Sequence, residues 1–394
     1  MVRNPIHRKT VHKDLTRKLG KLIPDVIDEL TNSIDDYWGI DTSEWRDITV
    51  FTDMMKIVSR ASNRVFVGLP LCRNDDYLEN ARKFARDIPL TSGVFRLFPK
   101  ILRPVVQWVV SIPTAWHCHK CFSHLLPLVE NRIIENGKRE SGETKEEGPN
   151  DFLSWHIQNL DQEPDQSERT PTKIAHRIMV VNFAAIHTST FAATNILFDI
   201  FSTDPEERIV EQLREEPEQV LSQHGGQWSK ESLAKLVKID SAIRESMRIS
   251  TFMIKGLQRM VKSPTGVTLQ NGTHIPQGST IGTPVYAIHH DNANYENAMK
   301  YDAFRFSRAR ESSSILEGKN LSIVTTNEAF LTFGHGSHSC PGRFFAAAEL
   351  KLLLAYIILN YDVKPLLTRP PNKIIAANII PPTSAKIEVR RRSA

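Results

Sequence analysis

Apolar positions along this 394-residue chain recur mostly at three- and four-residue spacing, the period of a helix with one buried face. That spacing predicts amphipathic helices over residues 13–37 and 75–88. Residues 173–201 are apolar on nearly every side, which predicts a helix at the centre of a core. Behind Cys340, the run from Phe344 to Leu354 holds strong helix formers and no breaker, so a further helix begins just after that cysteine. Residues 97–110 form an apolar patch cut by Pro99 and Pro104, and residues 137–150, charged and glycine-bearing, predict an exposed loop. Strand signals gather in the C-terminal half. Asn271-Gly272 between Thr268-Leu269 and His274-Ile275 marks a hairpin turn, and residues 374–380 with 387–389 predict a second pair of short strands around Pro381-Pro382. The expectation is a mainly α fold with small β-sheets, a single domain over 1–394, and no internal repeat.

Composition adds bounds. At 40% hydrophobic and 24% charged residues the chain can bury a substantial core. Four cysteines without a signal peptide argue for a reducing compartment rather than a disulfide framework. The N-terminus opens on polar and basic residues, and no stretch reaches the roughly 20 apolar residues that span a bilayer, so no transmembrane anchor is expected in this chain. The net charge of +5 is concentrated: Arg3, Arg8, Lys9, Lys13, Arg17, Lys18 and Lys21 face only Asp14. Such a run is a solvated helix face, or a docking patch for an acidic partner or an anionic membrane surface. Nucleic acid is not expected as a partner, since no interleaved aromatics or binding module accompany the charge.

The most telling chemistry lies in Phe333-Gly334-His335-Gly336-Ser337-His338-Ser339-Cys340-Pro341-Gly342-Arg343. One cysteine stands in a glycine-bracketed loop at a helix start, where backbone N–H groups and the helix dipole favour a thiolate ready for a metal. The pattern F-x-x-G-x-x-x-C-x-G followed by A-x-x-E is met at Phe333, Gly336, Cys340, Gly342, Ala346 and Glu349, and it resembles the haem-binding loop of the cytochrome P-450 family. The resemblance implies haem b with Cys340 as the thiolate axial ligand of the iron, O₂ and a small lipophilic molecule as substrates, and a monooxygenase reaction. It further implies an NADPH-dependent flavin reductase as electron donor and a location in the cytoplasm or peripheral to the endoplasmic reticulum. Filamentous-fungal members acting in secondary metabolism, such as terpenoid tailoring, are the most similar.

Other segments join the resemblance. Ala184-Ala185-Ile186-His187-Thr188-Ser189 puts polar groups into the apolar central helix, and the family's acid–threonine proton relay falls on Thr188, with His187 in the place of the acid. A hydroxyl there can also simply bond the carbonyl four residues back. Glu245 and Arg248 share a helix face, and Arg305 between Phe304 and Phe306 completes a network that resembles the family's structural triad. His338 and Arg259 match the positions that neutralise the haem propionates. The helix over residues 8–22 takes the place of the one that usually carries W-x-x-x-R, and Arg8 and His12 stand at those two positions. Phe183, Ala184, Ser250 to Met253, and Ile379-Ile380 are expected to line the substrate pocket. The family's N-terminal sheet and first helices are not expected in this chain. Two further readings stay open: an inactive or haem-deficient remnant, and a zinc-dependent interaction module on Cys118 and Cys121, whose spacing suits zinc although a second pair of ligands is missing.

Overall fold

The predicted helical spacing is realised in a computed structural model that describes residues 5–99, 101–312 and 320–393. Its longest helix, Pro171–Phe201, opens with a proline in the first turn, where the missing N–H costs nothing. Buried along most of its length, it packs against helices Val50–Phe66, Asp75–Arg96, Ile112–Glu140 and Val237–Ile249. Helix Arg343–Asn360 is buried from Ala347 to Ile358 and runs along Thr16–Trp38. One apolar cluster extends from Ile6 to Val389 through all of these elements.

Local details depart from the expected spans for physical reasons. The N-terminal helix starts at Ile6, passes through a wide π-turn at Val11–Leu15, and continues to Trp38, where Gly39 at φ +81° ends it. Asn74 caps helix Asp75–Arg96, accepting from the Tyr77 N–H at 2.9 Å. This helix carries on through Pro89, beyond the expected end at residue 88. Helix Ile112–Glu140 likewise invades the expected loop, leaving residues 141–150 without helix or strand.

The hairpin is found where expected, with Thr268 opposite His274. The second expected strand pair is corrected. Residues 374–380 fold back on themselves as Lys373–Ile375 against Asn378–Ile380, through a turn with Ala376 at φ +54°. Strand Lys386–Arg391 lies instead between Arg46–Thr49 and Tyr361–Val363, pairing Ile387 with Ile48 and Val389 with Val363. A further ribbon, Gly256–Met260 with Thr280–Thr283, was not anticipated.

A buried polar network holds the irregular stretch before the cysteine loop. Glu245 accepts from Arg248 Nε at 2.8 Å and Nη2 at 2.7 Å, and from Arg305 Nε at 2.9 Å. Arg248 and Arg305 also donate to the carbonyls of Ala298 at 2.8 Å and Glu296 at 2.6 Å, pinning a segment without regular structure. His289, fully buried, ties the network to the next segment. Its Nε2 must accept because the Leu331 N–H, 2.9 Å away, can only donate, so Nδ1 carries the hydrogen that faces the Arg248 carbonyl at 3.1 Å. Burial pushes this imidazole down to about 4. Thr332 adds a hydroxyl bond to the Met247 carbonyl at 3.1 Å, one residue before the loop begins.

Candidate active site

From that anchored base the loop turns at Gly334 and Gly336, at φ +71° and +69°, conformations that L side chains rarely adopt. A single tight turn, Gly336–His338, follows, and the Cys340 N–H closes the loop on the Phe333 carbonyl at 2.7 Å. Gly342 has φ −88° and needs no such freedom. A Cβ there would stand 4.0 Å from the Cys340 sulfur and 3.9 Å from Val11, so its part is to keep the approach to the sulfur open. Arg343 fastens the far side, donating to the Cys340 carbonyl at 2.9 Å and the Val324 carbonyl at 3.1 Å. Burial raises the Cys340 thiol above its ordinary range, while the N–H groups of Gly342 and Arg343 and the Arg343 charge pull it down without prevailing. Burial thus favours the neutral thiol here, and a metal cation at the sulfur is what would secure S⁻.

A cavity of about 650 Å³ lies against Cys340. Its walls are mostly apolar: Phe66, Val181, Ala184, Ala185, Ala192 and Phe345, together with Met247, Leu257 and Leu350. Ser250, Thr251, Phe252 and Met253 line it as expected, and so does Phe333. His7, Arg8, Lys255, Arg259 and His338 bring cations to it. A sulfur, apolar walls and several cations suit a flat apolar ring system that carries an iron ion and two carboxylates, so the donor set fits a haem.

Thr188 lines this cavity, its Oγ1 donating to the Ala184 carbonyl at 2.8 Å. His187 does not line it. It meets Phe191 edge-on with ring centroids 6.2 Å apart and turns toward Arg82 and Arg86 of helix Asp75–Arg96, and burial lowers its pKa. Of the expected Thr188–His187 pair only Thr188 therefore lines the cavity, because consecutive helical residues point about 100° apart. Phe183 is outside the walls for the same reason. Ile379 and Ile380 are outside them too: the Ile379 N–H bonds the Phe252 carbonyl at 2.9 Å, so that strand supports the wall from behind. His12 is exposed and does not line the cavity, whereas His7, Arg8 and Val11 do.

Two residues at the site were not singled out in the sequence. Asn195 and Ser246 line the cavity from two different helices. Glu349, which the motif supplied without a role, is fully buried, accepts from Ser62 Oγ at 2.8 Å, and is pushed by burial up to about 7. Cys118 and Cys121 form no second metal site. Cys121 is buried with its sulfur 3.9 Å from the Tyr77 carbonyl, His117 is bonded to Asn80 at 2.8 Å, and no group of three or more His, Cys, Asp or Glu suited to a metal occurs among the described residues. The zinc reading is thereby set aside.

Comparison with known proteins agrees with this geometry. The family profile described as Cytochrome P450 matches residues 4–389. The chain is 38% identical to cytochrome P450 monooxygenase gloP of Glarea lozoyensis, over 98% of this chain and 73% of that protein. It is 37% identical to cytochrome P450 monooxygenase htyF of Aspergillus rugulosus, over 94% of this chain and 55% of that protein. Among solved structures, the haem domain of cytochrome P450DA superposes with a TM-score of 0.71 at 17% identity, covering 98% of this chain and 77% of that one, which shows a shared fold.

Proposed function

This chain belongs to the cytochrome P450 family, and we propose that it is a monooxygenase that inserts one oxygen atom of O₂ into a small lipophilic substrate in secondary-metabolite biosynthesis, terpenoid tailoring being the setting we favour. The observation that carries the proposal is the apolar cavity resting on Cys340, with cations at its edge. Haem, when bound, supplies the redox chemistry that activates O₂. In this reading Cys340 would ligate the iron through its sulfur, and Phe333, Gly336 and Gly342 shape the loop that presents it. His7, Arg8, Arg259 and His338, which line the cavity, would neutralise the propionates. The walls exclude bulk water and hold an apolar molecule, and the Thr188 hydroxyl, whose own hydrogen goes to the Ala184 carbonyl, accepts from and so positions a proton-carrying water in the cavity. Electrons come from an NADPH-dependent flavin reductase, for which the exposed Lys9, Lys13, Arg17 and Lys21 offer an electropositive landing face. Peripheral contact with a membrane, at the endoplasmic reticulum, belongs to the same reading. It is supported by an exposed apolar stretch from Leu90 to Trp116, whereas no described helix is long and apolar enough to cross a bilayer.

The deciding test replaces Cys340 with Ala. Wild type should give the thiolate-type absorption band of the reduced carbon monoxide complex and oxygenate a lipophilic probe with NADPH and reductase, and the variant should do neither. Retention of both by Cys340→Ala would end this assignment.

A further inference from the structure

At one corner of the cavity, where Asn195, Ser246 and Ser250 meet, the hydrogen bonds run in one direction. Arg369 stands behind the wall with all five of its N–H groups committed. Nε donates to Asp199 Oδ1, Nη1 to the Pro370 carbonyl at 2.7 Å and Asn372 Oδ1 at 3.3 Å, and Nη2 to Asn195 Oδ1 at 2.8 Å and Ser250 Oγ at 3.0 Å. A guanidinium can only donate, so it dictates the polarity of its neighbours. Asn195 must turn its oxygen toward Arg369, which leaves Nδ2 on the opposite side, with no partner among the described residues. Asn372 is oriented in the same way and gives its Nδ2 to Ser250 Oγ at 3.3 Å. Ser250 Oγ thus accepts twice, filling both lone pairs, and its own hydrogen is what remains to be given. Asn195 and Ser250 both line the cavity, and because they bond one and the same guanidinium nitrogen they are close neighbours. Ser246, beside them, spends its hydrogen on Asp199 Oδ2 at 2.5 Å.

We infer that Asn195 and Ser250 form a donor pair that selects substrates bearing a carbonyl oxygen on an otherwise lipophilic skeleton. The inference rests on the monooxygenase reading for its context, and it narrows the substrate from a lipophile to a ketone, ester or lactone. A carbonyl offers two lone pairs, one for each donor. A hydrocarbon leaves the Ser250 hydrogen and the Asn195 amide buried without partners, which costs free energy. A carboxylate gains the same bonds but brings a charge to a donor pair whose backing cation, Arg369, is already paired with Asp199.

The test uses the haem-loaded full chain with three probes on one skeleton: adamantanone, adamantane and adamantanecarboxylate. Dissociation constants are read by calorimetry and, in parallel, from the shift of the haem band. Adamantanone should bind about tenfold more tightly than adamantane, and at least as tightly as the carboxylate. Ser250→Ala should bring the ketone down to the hydrocarbon while hydrocarbon affinity holds, and Ser250→Thr should keep the preference. Asn195→Asp, which retains the oxygen facing Arg369 but replaces the amide N–H₂ with an acceptor, should also abolish it. Equal affinity for ketone and hydrocarbon in the wild type, or a ketone preference that survives both Ser250→Ala and Asn195→Asp, overturns the inference. Failure of the monooxygenase reading would appear separately, as absence of the thiolate-type haem band, while the calorimetric preference is still decided.

Discussion

Thr188 opens onto the cavity and His187 turns away from it, a difference of one residue that separates their chemistry. The Thr188 hydroxyl gives its hydrogen to the Ala184 carbonyl and keeps its lone pairs free, so it can accept a bond from a water or ligand in the cavity. Thr188→Ala should therefore retain haem but divert reducing equivalents to hydrogen peroxide, lowering product formed per NADPH by about a hundredfold, the low end of the range usual for loss of a positioned proton-transfer group. His187→Ala should leave that ratio within about twofold, since the ring is packed against a neighbouring helix. Both are read by measuring NADPH consumed, peroxide and product together. Equal coupling in Thr188→Ala and wild type would place proton delivery elsewhere. Cys340, Thr188, Arg8 and the 250–253 turn were legible in the sequence because a spaced motif or a helix end marks each of them. Asn195 and His7 were not, because a lone polar residue in a helix has no periodic signature, and the arginine that gives Asn195 its meaning lies 174 residues away in the chain.

Between helix Val237–Ile249 and the cysteine loop, polar bonds replace regular structure as the means of holding position. Glu245 is fully buried between two arginines, and Glu245→Ala would leave both charges unpaired, costing roughly 3–5 kcal/mol. The expected outcome is loss of folded, haem-binding protein, read by expression level and haem content. His289 makes the same region sensitive to acid. Its folded pKa of about 4 lies below the ordinary imidazole value of 6.5, so the unfolded chain binds the proton more readily. Its contribution to stability is fully present above about 6.5 and is lost as pH falls toward 4. Urea midpoints measured at several values across that window should fall for the wild type, and His289→Gln, less stable at neutral pH, should show a shallower fall. An unchanged slope would assign the acid sensitivity to other groups. At this scale the helices were readable because a three-to-four spacing is local. Strand partners were not: Arg46–Thr49 meets Lys386–Arg391 from the far end of the chain, and no local pattern encodes such a meeting.

Across the whole molecule, most large apolar side chains are buried in one cluster, yet the stretch from Leu90 to Trp116 turns many of its own outward. Helix Arg103–Val110 buries none of its residues, and Ile101, Val105 and Trp108 are 85%, 70% and 82% exposed. An apolar surface of this kind costs free energy in water unless something covers it. The composition of this segment narrows the choice of cover. Between Asp87 and Glu130 the sequence has no acid, while Arg96, Lys100, Arg103 and Lys120 are basic, and two tryptophans, Trp108 and Trp116, accompany them. Apolar side chains, interfacial aromatics and unopposed cations together match the boundary of an anionic lipid bilayer. Wild-type protein should cosediment with phosphatidylcholine vesicles containing phosphatidylserine, more weakly as salt rises. Replacing Ile101, Val105 and Trp108 together by Ser should weaken vesicle binding by at least about a hundredfold, since each loses about 1.5–3 kcal/mol of transfer free energy at most and full insertion is not required of every side chain. Haem content should be unchanged in that variant, because none of the three residues lines the cavity. Vesicle binding that the triple change leaves intact, or binding indifferent to phosphatidylserine, would remove this surface from the membrane and leave the basic N-terminal helix as the face to test next.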